Sequence, residues 1–202
     1  MCKVISIVNQ KGGCSKTTSA VNIGIGLANA GKKVVLIDAD AQGSLTASLG
    51  FQKPDELKVT LATIMAKTIN EEEIDLSKVI LHHEEGVDLV PGNIELSGLE
   101  VQLSNVLSRE LILKEFVDSL RDSYDYILID CAPSLGMMTI NALVAADEVI
   151  IPVQAAYLPV KGLQQLMKTI NMVKRRLNKK WITELRLQET FQLNYSQLME
   201  NL

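Results

Sequence analysis

The sequence predicts an α/β fold, a mainly parallel sheet at the centre of a three-layer α/β/α sandwich. Three observations carry that expectation. Short apolar runs rich in β-branched residues recur at 3–8, 33–37, 124–130 and 148–151, as expected of strands buried on both faces. Stretches with apolar residues at helical spacing alternate with them. The first three runs lead into glycine-rich or acidic turns, at the strand ends where ligands sit in open α/β sheets.

Composition sets the outer bounds. A chain of 202 residues suits one domain with a real core. Apolar content of 47% and charged content of 22% are ordinary for a globular protein. Aromatics make up only 4%, which disfavours base stacking as a binding method. The net charge of −4 means that any nucleic-acid contact must come from a local basic patch. Cys2, Cys14 and Cys131 lie far apart with no C-x-x-C pair. That argues against a disulfide framework or zinc site and for a reducing cytoplasm. The sequence moves straight into a strand without a signal-peptide pattern, and no apolar run is long enough to span a bilayer.

The first strand run, Lys3 to Val8, leads into Asn9-Gln10-Lys11-Gly12-Gly13-Cys14-Ser15-Lys16-Thr17-Thr18. A helix over residues 16–30 follows, with Ala20, Ile23, Gly24, Leu27 and Ala28 at helical spacing and Gly31 closing it. Strand, glycine-rich turn and helix together form a phosphate-binding arrangement. Gly12 and Gly13 let backbone N–H groups converge, and the helix N-terminus adds open N–H groups and its positive dipole end. Lys16 supplies a full charge for the β- and γ-phosphates, and the Thr17 hydroxyl is a Mg²⁺ ligand candidate. The strict pattern G-x-x-x-x-G-K-[ST] is not met, because Gln10 and Ser15 occupy its glycine positions. What fits is KGG-x-x-KTT.

VNQKGGCSKTT resembles the deviant Walker A motif of the ParA/MinD group of P-loop ATPases, especially the ParA/Soj partitioning proteins. The resemblance implies ATP and Mg²⁺ as cofactors, held by Lys11, Gly12, Gly13, Cys14, Ser15, Lys16, Thr17 and Thr18. It also implies that Lys11 reaches across an ATP-bound homodimer to the partner's nucleotide. The usual family form has Gly where Ser15 stands. A small residue fits there if its φ stays negative.

The second strand, 33–37, ends in Asp38-Ala-Asp40-Ala-Gln42-Gly43. This run matches the family's first switch region. By resemblance, Asp40 orients the attacking water and Asp38 supports Mg²⁺ and its waters, with Gln42 a weaker candidate. In phosphoryl transfer, position and charge matter more than a strong base. Leu57, Leu61, Ile64 and Met65 read as a core-facing helix. Residues 78–81 and 87–90 read as two short strands. His82 and His83 lie between them and read as surface loop, since adjacent side chains point to opposite faces and no spaced third ligand is evident. The turn at Pro91-Gly92-Asn93 resembles the family's Pro-x-Asn turn.

Residues 94–122 read as mostly helical, with one stripe of Leu96, Leu99, Leu103, Val106 and Leu107 and another of Leu111, Leu113, Phe116, Val117 and Leu120. The strand that follows ends in Asp130-Cys-Ala-Pro133-Ser134. An apolar strand ending in Asp downstream of such a loop is the Walker B arrangement, with Asp130 holding the Mg²⁺ shell. The segment after it resembles the family's second switch, which senses the γ-phosphate. Gly136 turns the chain into a helix over 137–146. The strand at 148–151 leads into a stretch, Val149 to Gln154, that also resembles the family.

Residues 160–177 predict an amphipathic helix whose polar side carries Lys161, Lys168, Lys174, Arg175 and Arg176. One reading is a solvated helix end, with cations near the C-terminus. The other is a phosphate-backbone patch for nonspecific, salt-sensitive DNA contact. The resemblance covers residues 1–178, the expected ATPase domain. Residues 179–202 diverge and read as one terminal amphipathic helix, through Leu187, Phe191, Tyr195, Leu198 and Leu202. Glu184, Glu189 and Glu200 in that tail disfavour lipid binding.

The expected function is slow Mg²⁺-dependent ATP hydrolysis coupled to dimerisation and DNA association. The resemblance assigns this to segregation of a chromosome, plasmid or mobile element in the cytoplasm, at the nucleoid, with a centromere-binding ParB-like partner and no membrane. Two alternatives stay open: a metabolic P-loop ligase or kinase, and a regulatory nucleotide-binding module without turnover.

Overall fold

The computed structural model describes residues 1–153, 160–178 and 185–188. Its elements run in the order β1 (Lys3–Ile7), α1 (Lys16–Asn29), β2 (Val34–Ala39), α2 (Ser44–Ser48), α3 (Leu61–Ile69), α4 (Leu76–Val79), β3 (Leu81–His82) and β4 (Val87–Val90). After these come α5 (Glu95–Leu103), α6 (Ile112–Leu120), β5 (Tyr126–Cys131), α7 (Met137–Ala145), β6 (Glu148–Pro152), α8 (Val160–Arg176) and β7 (Leu185–Gln188). Among the described residues, seven strands form one sheet in the order β3-β4-β2-β5-β1-β6-β7, in which only the β3–β4 pair is antiparallel.

Alternation along the strands divides the core between the two faces. Ile5, Ile7, Val34, Leu36 and Leu128 face α1 and α2, meeting Ala20, Leu45 and Leu49. Val4, Val8, Val35, Ile37, Ile127 and Ile129 pack on the opposite side, against α3 and α5 to α8. Ser6 also points to that second side, where its hydroxyl donates to the Ala142 carbonyl at 2.8 Å. The three-layer sandwich expected from the sequence is the observed fold.

Four local expectations change. Residues 78–81 are not a strand. Leu76–Val79 form a helical turn, β3 keeps only Leu81 and His82, and the i,i+3 ion pair of Asp75 with Lys78 at 2.9 Å supports the turn while Val79 enters the core. Leu57 precedes α3 instead of joining it. The helix carrying the stripe over 96–107 ends at Leu103; Val106 still packs on the core from the link to α6, and Leu107 lies in that link with 92% of its surface exposed. The tail expected to be helical contributes β7, paired in parallel with β6 from Val149↔Leu185 to Pro152↔Gln188. The edge of β6 presents a row of backbone groups that a strand satisfies and a helix does not. Residues 154–159, 179–184 and 189–202 carry the rest of the tail expectation and the resemblance at Gln154, and lie outside the described residues.

Candidate functional site

Strand order decides what meets at the carboxyl edge of the sheet. β5 lies between β1 and β2, and its Asp130 is in register with Ile7 on one side and Asp38 on the other. The loop after β1, the acidic run after β2 and the end of β5 therefore converge. This is the edge where α/β sheets bind ligands.

The first loop is tied down from below. Asn9 is buried; its amide donates to the Pro152 carbonyl at 2.7 Å and its Oδ1 accepts from the Lys11 N–H at 3.0 Å. This bridges β1 to the end of β6. The sequence reading missed Asn9, although an Asn opening a glycine turn is a known backbone-bonding signal. Lys11, Gly12 and Gly13 are exposed on the loop, while Cys14 turns inward and its thiol donates to the Lys11 carbonyl at 2.7 Å. Lys16 opens α1, is only 7% exposed, and donates from Nζ to the same carbonyl at 3.4 Å. The first intrahelical bond into the N-cap runs from Ser19 N–H to the Ser15 carbonyl at 2.8 Å. The N–H groups of Lys16, Thr17 and Thr18 precede it and belong to the open end of the helix.

Ser15 departs from expectation. It takes the left-handed conformation, with φ 62 and ψ 25, instead of the negative φ that suits a side chain. The N-cap geometry requires it, because the chain must reverse out of the Gly13 turn, itself at φ 70, into the axis of α1. A Cβ in this region costs about 1 kcal/mol. Ser15→Gly is therefore expected to raise the unfolding free energy by about 0.5–1 kcal/mol, with thermal or urea denaturation of the nucleotide-free protein as the check. An unchanged or lowered midpoint would show that the loop carries no such strain.

Thr17 and Asp130 meet directly. The Thr17 hydroxyl donates to Asp130 Oδ2 at 2.6 Å. Asp130 Oδ1 is buried and has no hydrogen-bond partner among the described residues. Burial, above all, pushes the Asp130 carboxyl up to about 7, and the neighbouring charge of Asp38 adds to the rise, while the Thr17 bond and the Lys16 ammonium oppose it. A buried carboxylate with an unused oxygen beside a threonine hydroxyl is an acceptor set suited to a hard divalent cation and its waters.

Asp38 sits differently. It is fully buried, and its Oδ2 accepts from both the backbone N–H and the hydroxyl of Thr46, at 2.8 and 2.7 Å. Its Oδ1 accepts from the Asp40 N–H at 3.3 Å. Burial again leads the causes that raise its carboxyl, to about 6. The Thr46 hydroxyl in turn accepts from the Gly92 N–H at 3.0 Å. A Cβ at Gly92 would lie 2.4 Å from the Asp38 carbonyl, so only glycine fits this approach. Asp38 and Thr46 thus fasten the acidic loop and α2 to the turn after β4. Thr46 and Gly92 carry no motif signal of their own. Asp40 is more open; its Oδ1 accepts from the N–H of exposed Gln42 at 3.0 Å, and its carbonyl accepts from the Gly43 N–H at 3.0 Å.

Known proteins resemble this chain in sequence and in fold. A family profile described as an AAA domain matches residues 2–183. The sporulation initiation inhibitor protein Soj of Bacillus subtilis is 44% identical over 178 residues, covering 88% of this chain and 68% of that protein. The chromosome partitioning protein ParA of Myxococcus xanthus is 43% identical over 178 residues, or 87% of this chain and 60% of its own length. Among solved structures, cobyrinic acid a,c-diamide synthase from Mycobacterium smegmatis, with bound ADP and magnesium, superposes with a TM-score of 0.84 at 38% identity. That match covers 91% of this chain and 72% of the other. With KGG-x-x-KTT on the loop after β1 and the acid pair at the ends of β2 and β5, the chain belongs to the ParA/Soj family of P-loop partitioning ATPases.

Proposed function

We propose that this chain is a DNA-partitioning ATPase that binds Mg·ATP in the loop after β1 and hydrolyses it slowly. The observation that carries the reading is the convergence of Lys16, Thr17 and the unused Asp130 oxygen at one strand edge. The loop N–H groups and the α1 N-terminus cradle the phosphates. Lys16 would turn its ammonium from the Lys11 carbonyl to donate to the phosphate oxygens. Thr17 and Asp130 hold Mg²⁺, which when bound neutralises charge on the phosphoryl oxygens. Asp40 orients the attacking water from the open loop that Asp38 and Thr46 hold in place. Asp38 acts through that anchoring and through its charge behind Asp130. The ADP and magnesium bound to the Mycobacterium synthase support this assignment of ligands.

Dimerisation completes the site. Lys11 stands exposed at the rim, where a second copy's nucleotide can be reached. ATP then bridges two subunits, and the paired chains bring two basic faces to DNA. That face is α8, where Lys168, Arg175 and Arg176 are exposed beside a hollow of about 390 Å³. Such contact is sequence-independent and weakens steeply with salt. A centromere-binding ParB-like protein stimulates hydrolysis and releases the DNA. Localisation is cytoplasmic, at the nucleoid; among the described residues no helix is long and apolar enough to cross a membrane.

Lys11→Ala is expected to leave nucleotide binding by the monomer intact and to remove the ATP-dependent dimer. Sedimentation with ATP, with ADP and without nucleotide checks this; a Lys11→Ala dimer with ATP would rule out the cross-subunit role. A second reading, an amide-forming ligase, draws on the name of the Mycobacterium structure. It predicts turnover stimulated by a small-molecule acceptor and indifferent to DNA. Stimulation by DNA with a ParB-like protein, and none by metabolites, decides for partitioning.

A further inference from the structure

The helix after the Walker B strand lacks an oxygen of its own at its start. Gly136 is the N-cap of α7 and offers no side chain, yet the second helical N–H is a position that normally takes a capping acceptor. A different helix supplies it. Glu100, half-buried on α5, places Oε1 3.3 Å from the Met138 N–H, and Met138 is itself buried. The carboxylate also gains from the positive end of α7. Room for it exists only because residue 136 is glycine, since a Cβ there would lie 2.0 Å from Glu100 Oε1. The backbone itself makes no such demand, with φ −73 and ψ −174, a conformation open to any residue. A side chain at 136 would therefore displace the carboxylate from this position without straining the turn.

The segment fixed in this way is short and ends on Asp130. Between Cys131 and α7 the chain is held by local bonds, Thr139 hydroxyl to the Ser134 carbonyl at 2.9 Å and Gly136 N–H to Ser134 Oγ at 3.4 Å. The first couples the loop to the first turn of α7 and the second braces the loop against the N-cap, so a shift of that turn is passed to the loop through Thr139. We infer that Glu100 is a positioning residue: by capping α7 across the α5–α7 contact it holds loop 132–136 at the distance needed to meet the terminal phosphate. The inference rests on the ATP-binding reading above.

The test compares wild type, Glu100→Ala, Glu100→Gln and Gly136→Ala by calorimetry with Mg·ADP and with a non-hydrolysable Mg·ATP analogue. Hydrogen exchange of the segment 132–140 is followed in nucleotide-free protein. Glu100→Ala and Gly136→Ala are expected to weaken analogue binding about tenfold, the scale of a lost cap, to leave ADP affinity within about twofold, and to speed exchange over 132–140. Glu100→Gln keeps an acceptor oxygen and restores most of both. Equal losses for ADP and analogue, or no loss and unchanged exchange, would overturn the role of Glu100 while leaving nucleotide binding in place. Wild type that binds neither nucleotide would overturn the ATP reading and this inference with it. If Glu100→Ala does not fold, Gly136→Ala carries the same comparison, because it displaces the carboxylate without removing it.

Discussion

Lys16→Ala is expected to raise the dissociation constant for Mg·ATP by about 30-fold to several thousand-fold. That range corresponds to the roughly 2–5 kcal/mol lost when one partner of a buried, hydrogen-bonded charge pair is removed. The position of Lys16 makes the effect large. It starts α1, it is 7% exposed, and its ammonium already lies within the loop, 3.4 Å from the Lys11 carbonyl. Binding therefore moves a desolvated cation a short way and spends little on ordering it. The same change removes the one influence of Lys16 on Asp130, the opposing charge that restrains the rise of its carboxyl, so the metal end of the site weakens as well. The loop itself should persist, because the Lys11 carbonyl keeps its bond from Cys14 and the loop keeps its tether to Asn9. Calorimetry with Mg·ATP and Mg·ADP is the measurement. Affinity within threefold of wild type, from a folded variant, would remove Lys16 from the phosphate site.

Asp130→Asn should do two opposite things. In the nucleotide-free protein at pH 8 it should stabilise the fold, by about 2 kcal/mol or about 4–8 °C. With Mg·ATP it should lose most of the metal-dependent gain that wild type shows. The sign follows from burial. The folded-state carboxyls of Asp130 and Asp38 are raised, to about 7 and about 6, above the ordinary aspartate value of about 3.9. Between those limits the folded protein binds more protons than the unfolded chain, so this pair makes stability fall as pH rises from about 4 through 7. Above pH 7 the folded protein carries two buried negative charges in adjacent register positions, Asp38↔Asp130. Asn at 130 removes one charge and can still accept from Thr17. At pH 5 the difference between variant and wild type should shrink, because Asp130 is then protonated. Thermal unfolding at pH 5 and pH 8, with and without Mg·ATP, reads all of this. A wild-type midpoint indifferent to pH and magnesium alike would mean that the acid pair is neither strained nor waiting for a cation.

Most of the sheet was legible because its strands are short, apolar and bounded by glycine or acid, so the local pattern and the tertiary environment agree. The first loop was legible for a different reason: two lysines and paired threonines among glycines have little use other than anion binding. What failed was local and periodic. Leu107 continues a helical spacing that the chain itself does not continue. Val79 fits a strand by its spacing, yet it is the buried side of one helical turn. Short apolar runs fit either period, so periodicity alone does not separate strand from helix there.

By itself the sequence determined the class of the fold, the alternation of its central strands β1, β2, β5 and β6 with helices, and the chemistry on offer at the loop after β1, because residue type and spacing fix those directly. Only the tertiary structure decided that Asp38 and Asp130 stand side by side, that Thr46 and Gly92 hold the first acid in place, that Ser15 lies at positive φ, and that a glutamate from α5 caps α7. Those facts depend on which strands become neighbours and how close two backbones come. Contacts between residues 38 to 113 positions apart leave no period in the sequence.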